Sequence, residues 1–200
     1  GTPTDSQGLR GMMEALIVQG AENIDLVTPT HYLPHILPAL QPRLPVPVVW
    51  NCGGYESVET LKMLDGLVDI YLPDFKYADD ALAERVSNAP NYTETALCAI
   101  REMVRQTGEN QYTPEGLLQK GVIIRHLILP GFLDNSLKVL DWIGETFAPG
   151  EVLVSLMRQY TPMPGLPAPL NRPITEEEYD SVLSWMFLNE LEGFTQEETA

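Results

Sequence analysis

Hydrophobic positions along the chain switch repeatedly between the period of a helix and that of a buried strand. Residues 6–20 place apolar side chains at helical spacing and end at Gly20, a residue that favours helix ends. A short apolar run follows at residues 23–29, and helix and strand then alternate to the end of the chain. Because the strand segments are apolar on both faces, the pattern predicts an α/β fold in which helices cover a parallel sheet.

The later segments continue this alternation. Pro34 and Pro38 predict a short or kinked helix, because proline disturbs a helix interior. Thr175 is a predicted N-cap, with Glu178 at the capping-box position. The proline-rich residues 162–173 predict a loop, either a lid or a crossing segment. The other predicted strands are residues 46–51, 68–75, 121–131 and 151–160; the other predicted helices are residues 31–41, 57–66, 79–88, 93–108, 135–147 and 175–190, with a short turn of helix at residues 113–120.

The order of elements predicts the architecture. A right-handed series of strand–helix units forms either an open doubly wound sheet or a barrel, whole or partial. The chain opens on a helix, although a strand normally comes first in such a fold. We therefore expect a single domain over residues 1–200 from which the first strand is absent. The exposed edge would pair with a second copy in a homodimer or be covered by the early segment, because unpaired edges invite pairing.

Composition excludes some classes of partner. The 200 residues are 44% hydrophobic and carry a formal net charge of −16. Such an acidic surface repels nucleic acid, so nucleic-acid binding is not expected. No apolar run is long enough to cross a membrane and no signal pattern opens the chain, so we expect a cytoplasmic protein without a membrane partner. The acidic tail at residues 191–200 is expected to be solvated and frayed.

The two cysteines do not suggest a metal site or a nucleophile. Cys52 and Cys98 lie far apart and show no CxxC spacing, which argues against a disulfide framework, a zinc site and a self-contained iron–sulfur site. The helical pattern around Cys98 predicts a small buried core residue. Residues near Cys52 offer no evident base to activate its thiol.

Polar side chains gather just after the predicted strands, where parallel α/β folds bind their ligands. A carboxylate ligand would pair with Arg125 or Lys76, and an ammonium or a diol with Asp74. Structural alternatives exist, since Arg125 could form an ion pair with Asp69 or Asp74. His126 points away from Arg125, and packing is its expected role. The candidate residues are Thr28, Thr30, His31, Asn51, Asp74, Lys76, Arg125, Gln159 and Tyr160.

Four stretches taken together resemble one branch of the radical S-adenosylmethionine (SAM) superfamily. They are NIDLVTPTH, WNCGGYESVETLKMLDGLVDIYLPDFKY, RHLILPG and SLMRQYTP. The branch comprises iron–sulfur proteins related to pyruvate formate-lyase activating enzyme. The resemblance covers nearly the whole chain and implies a partial (β/α)6 TIM-like barrel with parallel strands, in agreement with the alternation of elements.

The resemblance also implies how the methionine end of SAM is bound. In the family this end lies after the second strand, at a GGE motif, where this chain has Thr28, Thr30 and His31 instead. Asn51 matches the polar residue that opens the next family motif. Cys52 stands where a small residue is common, which implies that it is neither ligand nor nucleophile.

The remaining cofactor contacts are implied by three further family motifs. A DLK-like motif is present as Asp74 and Lys76 on either side of a phenylalanine, and both side chains should touch SAM. Arg125 belongs to an IRxxxxPG motif and should reach the carboxylate or the ribose. Gln159 and Tyr160, at the end of the last strand, should lie near the adenine.

One hallmark of the superfamily does not occur in this sequence. The motif CxxxCxxC, whose thiolates hold a 4Fe-4S cluster, is absent. The resemblance therefore implies that this chain is the C-terminal part of a longer protein whose cluster ligands lie upstream. In the intact enzyme an electron from the cluster would cleave SAM to a 5′-deoxyadenosyl radical. A glycyl-radical protein and an electron donor are the implied partners, and this chain alone is expected to be inactive.

Two other functions stay open. One is a cluster-free binding domain that keeps a degenerate nucleoside or SAM pocket and has no catalysis. The other is an α/β-barrel hydrolase or isomerase that uses Asp74 and Lys76 as acid and base. Cysteines upstream of residue 1 would favour the radical enzyme, and activity without iron would favour the hydrolase or isomerase.

Overall fold

Seven strands form one sheet in the computed structural model, which describes residues 3–196. The strands are β1 (Ile24–Val27), β2 (Val48–Cys52), β3 (Ile70–Pro73), β4 (Gln111–Tyr112), β5 (Leu118–Leu127), β6 (Leu153–Met157) and β7 (Gly193–Phe194). Neighbours along the order β1-β2-β3-β5-β6-β7 are parallel, and β4 pairs antiparallel with β5. The predicted parallel α/β fold is therefore confirmed.

Helices follow the strands in alternation, and side chains cap several of their first turns. Ser57 Oγ accepts a hydrogen bond from the Thr60 amide at 3.1 Å. Thr175 and Glu178 form the predicted capping box. The helices are α1 (Ser6–Val18), α2 (Leu33–Ala39), α3 (Val58–Lys62), α4 (Asp80–Ser87), α5 (Tyr92–Thr107), α6 (Leu133–Thr146) and α7 (Glu176–Leu188), with a 3-10 turn at Pro29–Tyr32.

Alternate side chains of each strand point to opposite faces of the sheet. The Tyr71 hydroxyl donates to Gln106 Oε1 of α5 at 2.6 Å, so this face of β3 packs on the helices. Its register partner on β2, Trp50, is fully buried. By alternation, Asn51 and Asp74 lie on the opposite face, and Asp74 is bridged in parallel register to Arg125 of β5.

The core lies between the sheet and its helices. Apolar side chains from β2, β3 and β5 pack there against α3, α5 and α6, and their burial is the main driving force for this fold. The largest fully buried side chains are Trp50, Tyr71, Phe75, Leu40, Leu61, Leu64, Ile100, Met103, Ile124, Ile128, Leu140 and Ile143.

The predicted turn of helix at residues 113–120 is wrong, because this stretch forms a β-hairpin. β4 and the start of β5 pair across a turn in which the Thr113 amide donates to the Leu117 carbonyl at 2.8 Å. Gly116, inside the turn, has a φ of +87°, a left-handed value that a helix does not contain. The apolar pair at residues 117–118 is compatible with a helix or a strand. The antiparallel pairing of β4 with β5 selects the strand.

The predicted burial of Cys98 is also wrong. Cys98 is exposed on α5, whereas Ala96, Ala99 and Ile100 are fully buried on the same helix. These three positions define the apolar stripe of the helix, and Cys98 falls outside it.

The C-terminal tail is more ordered than predicted as far as residue 196. Gly193 and Phe194 form β7 on β6, and a Cβ atom at Gly193 would lie 1.9 Å from the Val154 carbonyl oxygen. The Gln196 side chain accepts from the Arg158 amide at 2.8 Å. Residues 197–200 of the predicted frayed tail lie outside the described residues. The proline-rich residues 162–173 form neither helix nor strand, as predicted.

Candidate functional site

A cluster of three charged side chains lies at the carboxyl ends of β3 and β5. Arg125 Nη2 is 2.6 Å from Asp74 Oδ1, and Lys76 Nζ is 3.2 Å from Asp74 Oδ2. The structure thus brings together three residues that the sequence placed at two strand ends. The ion pair between Arg125 and Asp74 is the structural alternative noted from the sequence, whereas Asp69 pairs with Arg43 instead.

The charged cluster has unused hydrogen-bonding capacity. Arg125 Nε is a buried atom without a hydrogen-bond partner among the described residues, whereas Asp74 Oδ1, also buried, is engaged by Arg125 Nη2 in the ion pair. The Arg125 side chain is 25% exposed and the Lys76 side chain 40% exposed, so both can still reach a ligand. Buried polar atoms are normally hydrogen-bonded, and atoms left without partners indicate a place where a bound group would supply them.

Asn51 extends the charged cluster toward β1. It is buried in β2, in register with Leu72 of β3 and Val27 of β1. Its side-chain amide is 3.5 Å from Asp25 Oδ2, a weak contact at the limit of hydrogen-bond length. Its carbonyl accepts from the Thr28 amide at 2.8 Å, which ties the end of β1 to the end of β2.

The two glycines that follow Cys52 differ in their surroundings. Gly54 has a φ of +76°, and a Cβ atom there would lie 1.9 Å from the carbonyl oxygen of Asp74. A Cβ atom at Gly53 would meet nothing within 4 Å. Gly54 is therefore required for the close approach of the β2 loop to the charged cluster.

Cys52 is a buried free cysteine at the end of β2. Its side chain is buried, and burial raises the pKa of its thiol to about 12, with the charges of Glu56 and Asp74 adding to the rise. A thiol with this pKa stays protonated and unreactive at neutral pH. The raised pKa agrees with the expectation that Cys52 is not a nucleophile.

Glu56 is a candidate that the sequence analysis missed. Its side chain is buried, and burial raises the pKa of its carboxyl group, while Thr30 and His31 partly offset the rise. Thr30 Oγ1 is a buried atom beside this carboxyl group. The sequence gives no signal for this group, because a glutamate in a loop is normally a solvated residue and only the fold places it beside Thr30.

The other predicted residues lie around this arrangement. Thr28 has a left-handed backbone with a φ of +50°, and its side chain is exposed, as is that of His31 in the 3-10 turn. Gln159 is exposed, and the Tyr160 hydroxyl donates to the Leu170 carbonyl at 2.8 Å. Tyr160 thus anchors the proline-rich loop, and its role toward adenine stays a prediction.

Several solved structures share this architecture. A domain of a pyruvate-formate lyase-activating enzyme from Bacteroides vulgatus superposes with a TM-score of 0.63 at 13% identity, covering 88% of this chain and 98% of that domain. The chain has the fold of the radical SAM proteins. A radical SAM methyltransferase from Sphaerobacter thermophilus shares it with a TM-score of 0.64 at 13% identity, over 98% of this chain and 59% of that protein. HydG, a maturase of the FeFe-hydrogenase, shares it with a TM-score of 0.58 at 14% identity, over 98% of this chain and 46% of HydG.

Sequence comparison finds a relative of this chain. An uncharacterized protein of Methanocaldococcus jannaschii is 33% identical over 141 residues, which is 69% of this chain. The chain spans 37% of the length of that relative. No family model matches the sequence.

Two further properties concern membranes and metals. No helix within residues 3–196 is long and apolar enough to cross a membrane. In the same part of the chain, no group of three or more histidine, cysteine, aspartate or glutamate side chains is arranged to hold a metal ion. Tested against a 4Fe-4S cluster, the donor set therefore does not fit.

Proposed function

We propose that this chain supplies the SAM-binding face of a radical SAM enzyme. The observation that carries the proposal is the charged cluster of Asp74, Lys76 and Arg125 at the strand ends of a radical SAM fold, in which the buried Arg125 Nε has no partner among the described residues. Ligands of parallel α/β folds bind at this edge of the sheet. The cluster and the fold are independent observations that point to the same place.

The residues present fit the functional groups of SAM. Arg125 would pair with the carboxylate, because a guanidinium recognises a carboxylate through two parallel hydrogen bonds. Asp74, held between two cations, would accept from the ribose hydroxyls. The buried Glu56 carboxylate beside Thr30 would attract the ammonium group of the methionine end, which would offset the cost of burying that carboxylate. Asn51 would hydrogen-bond next to these groups.

Cleavage of SAM is a separate proposal that concerns a longer protein. The described residues do not fit a 4Fe-4S cluster, so no step through a cluster is assigned to this chain. For a protein that joins this chain to a cluster-binding segment, we propose reductive cleavage of SAM, with an electron donor as one partner. Activation of a glycyl-radical protein is the proposed use of that chemistry, and it rests on likeness to the activating enzymes alone.

A cluster-free binding domain is the second candidate. It is favoured by the lack of a metal-binding group in residues 3–196. Such a domain would use the same charged cluster to bind a nucleoside-like ligand without chemistry. Anaerobic reconstitution with iron and sulfide of a protein containing upstream residues separates the two, since a cluster absorbance is expected only for the radical enzyme.

The binding proposal is tested by titrating the chain with SAM and following backbone amide signals by NMR, which detects weak binding. We expect signals of residues 74–76, Asn51 and Arg125 to shift together. The variant Arg125→Ala should weaken SAM affinity about tenfold or more, because it removes a charge-assisted pair. The variant Lys62→Ala removes an exposed cation on α3 and serves as the matched control. Equal affinities of both variants would contradict the proposed site.

A homodimer through the free edge of β1 is a further proposal. In the described sheet β1 pairs only with β2, and its other side opens on a groove of about 700 Å³ lined in part by Leu26, Val27 and Ile36. Val27 is 64% exposed at this edge. Size-exclusion chromatography should show concentration-dependent dimers that Val27→Lys abolishes, because edge lysines block strand pairing. A clean monomer at high concentration would count against the dimer.

A further inference from the structure

The backbone of residues 74–76 is held almost entirely from outside its own segment. These residues follow β3, and a single bridge joins them to β5. The Asp74 amide donates to the Cys52 carbonyl at 3.1 Å, and the Phe75 amide donates to the Arg125 carbonyl at 2.8 Å. The other polar groups of this backbone bind three side chains, which are described in turn below.

Tyr92 bridges the two ends of the segment with one hydroxyl group. The Lys76 amide donates to the Tyr92 hydroxyl at 2.9 Å, and the same hydroxyl donates to the Asp74 carbonyl at 3.3 Å. The Tyr92 ring is buried and stacks against Tyr55 and Phe75 at centroid distances of 5.7 and 6.5 Å. This packing fixes the hydroxyl between two backbone groups that flank Phe75.

His126 holds the middle of the segment. Its Nδ1 lies 2.8 Å from the Phe75 carbonyl and its Nε2 lies 2.9 Å from Ser136 Oγ. A carbonyl can only accept, so Nδ1 carries the proton and Ser136 donates to Nε2. The ring is fully buried on the helix side of the sheet, behind the charged cluster.

Asn135 holds the end of the segment. Its side-chain amide donates to the Lys76 carbonyl at 2.9 Å, and its Oδ1 accepts from the Ala78 amide at 2.9 Å. Asn135 is buried at the start of α6. Three elements, α5, β5 and α6, therefore each contribute one buried side chain to the same three-residue backbone.

We infer that Tyr92, His126 and Asn135 are positioning residues that fix the backbone of residues 74–76 and thereby aim the Asp74 and Lys76 side chains at a bound ligand. The inference rests on the proposed function, because the ligand it serves is SAM. A site gains affinity when its groups are held in the binding geometry before the ligand arrives. Each of these three side chains touches backbone, so none of them is a catalytic residue.

The Tyr92→Phe variant separates positioning from packing. It keeps the stacked ring and removes only the hydroxyl that binds Asp74 and Lys76. Tyr77→Phe is the matched control, since Tyr77 is buried beside Tyr92 at a ring distance of 5.1 Å but its hydroxyl is 2.6 Å from Ser87 Oγ. Asn135→Asp is a second test, because it keeps the acceptor for Ala78 and loses the donor to Lys76.

SAM affinity is measured by NMR titration at a temperature at which all variants are folded. We expect Tyr92→Phe to weaken affinity about fivefold, which corresponds to one hydrogen bond, and Tyr77→Phe less than twofold. The difference in SAM affinity between Tyr92→Phe and Tyr77→Phe should become smaller at high salt. Tyr92→Phe misplaces the charged side chains of Asp74 and Lys76, and salt screens the electrostatic attraction that this misplacement weakens. Equal losses in Tyr92→Phe and Tyr77→Phe would overturn the inference, and if Tyr92→Phe fails to fold, Asn135→Asp is judged against the same control.

Amide hydrogen exchange tests the positioning role without requiring that the chain binds SAM. If the wild-type chain does not bind SAM, the proposed function fails, and the fixing of the segment is judged from the amides of Phe75 and Lys76. Their exchange should speed up at least tenfold more in Tyr92→Phe than in Tyr77→Phe, because the hydroxyl holds one of them directly. Equal exchange in the two variants would overturn the positioning role.

Discussion

Two ion-pair clusters of this protein use the same kinds of side chain in different ways. Arg172 forms two hydrogen bonds of 2.8 Å with Glu178, whose carboxylate also accepts from the amides of Gly131 and Thr175. That cluster lies between the proline-rich loop and α7, and its acceptors are filled from within the chain. In the pair of Asp74 and Arg125, the buried Arg125 Nε has no hydrogen-bond partner among the described residues.

The difference separates a structural ion pair from one suited to binding. Arg172, the amide of Gly131 and the amide of Thr175 together lower the pKa of the Glu178 carboxyl group to about 2. A filled pair of this kind joins elements and leaves no capacity for a ligand. Asp74 and Arg125 also pair with each other, but Arg125 is 25% exposed and its Nε has no partner among the described residues, so this pair keeps donor capacity for a ligand.

The largest expected effect follows from the glycine beneath the charged cluster. Gly54→Ala should destabilise the chain by about 3 kcal/mol or more, because its Cβ atom would lie 1.9 Å from the Asp74 carbonyl oxygen at a left-handed backbone angle. Urea unfolding followed by circular dichroism measures the loss. Gly53→Ala is the control and should change stability by less than about 1 kcal/mol. A similar loss in both variants would mean that the close approach is not needed.

As the pH is lowered, the stability contributed by the neutral His126 should be lost before the stability contributed by the ion pair of Arg172 and Glu178. Burial lowers the pKa of His126 from 6.5 to about 4, so the unfolded chain binds a proton first and folding stability falls as pH drops from 6.5 to 4. The loss is about 3 kcal/mol, at about 1.4 kcal/mol for each pKa unit. Glu178 acts in a lower window, where its contribution is lost as pH falls from 4.5 to about 2. Urea midpoints measured across this range should fall less steeply in His126→Asn, and an unchanged slope would contradict the buried neutral histidine.

Removing the structural ion pair should affect stability and not binding. Arg172→Ala should lower the free energy of unfolding, because it leaves the partly buried Glu178 carboxylate without its cation. SAM affinity should stay within twofold of wild type, in contrast to Arg125→Ala. Thermal unfolding and NMR titration of the same samples measure the two effects. A loss of affinity in Arg172→Ala would contradict the separation of the two clusters.

The smallest expected effect concerns the N-cap of α7. Thr175→Ala should cost about 1 kcal/mol, because the Thr175 hydroxyl accepts from the Glu178 amide at 3.2 Å and the capping box is lost. Thr175→Ser keeps the acceptor and should restore most of the stability. Thermal unfolding compares the stabilities of Thr175→Ala and Thr175→Ser. Equal melting temperatures would contradict a contribution of the capping box to stability.

The sequence was informative where local patterns decide the structure. Apolar runs predicted the strands, and the capping box at Thr175 was visible because its two residues are three positions apart. The charged cluster of Asp74, Lys76 and Arg125 could be predicted because polar residues follow apolar runs at strand ends. These features depend on the chain within a few residues, which is the range that periodicity and spacing report.

Long-range contacts account for what the sequence did not reveal. Glu56, Tyr92 and Asn135 reach the site area from loops and helices, and nothing near them in the chain marks a partner. Tyr92 meets Lys76 across 16 positions, and Asn135 meets it across 59. β7 likewise depends on Val154, because two residues of a polar tail carry no strand signal by themselves.

The contact between Gly54 and Asp74 has a consequence for engineering this protein. A library that diversifies the loop after β2 to change ligand preference can vary residue 53 freely, since the space around it is open. Residue 54 admits no side chain without displacing Asp74, so active clones from such a library should retain glycine there. The two adjacent glycines therefore differ in their tolerance to substitution. Selection for a new ligand preference would change residue 53 and leave residue 54 as glycine.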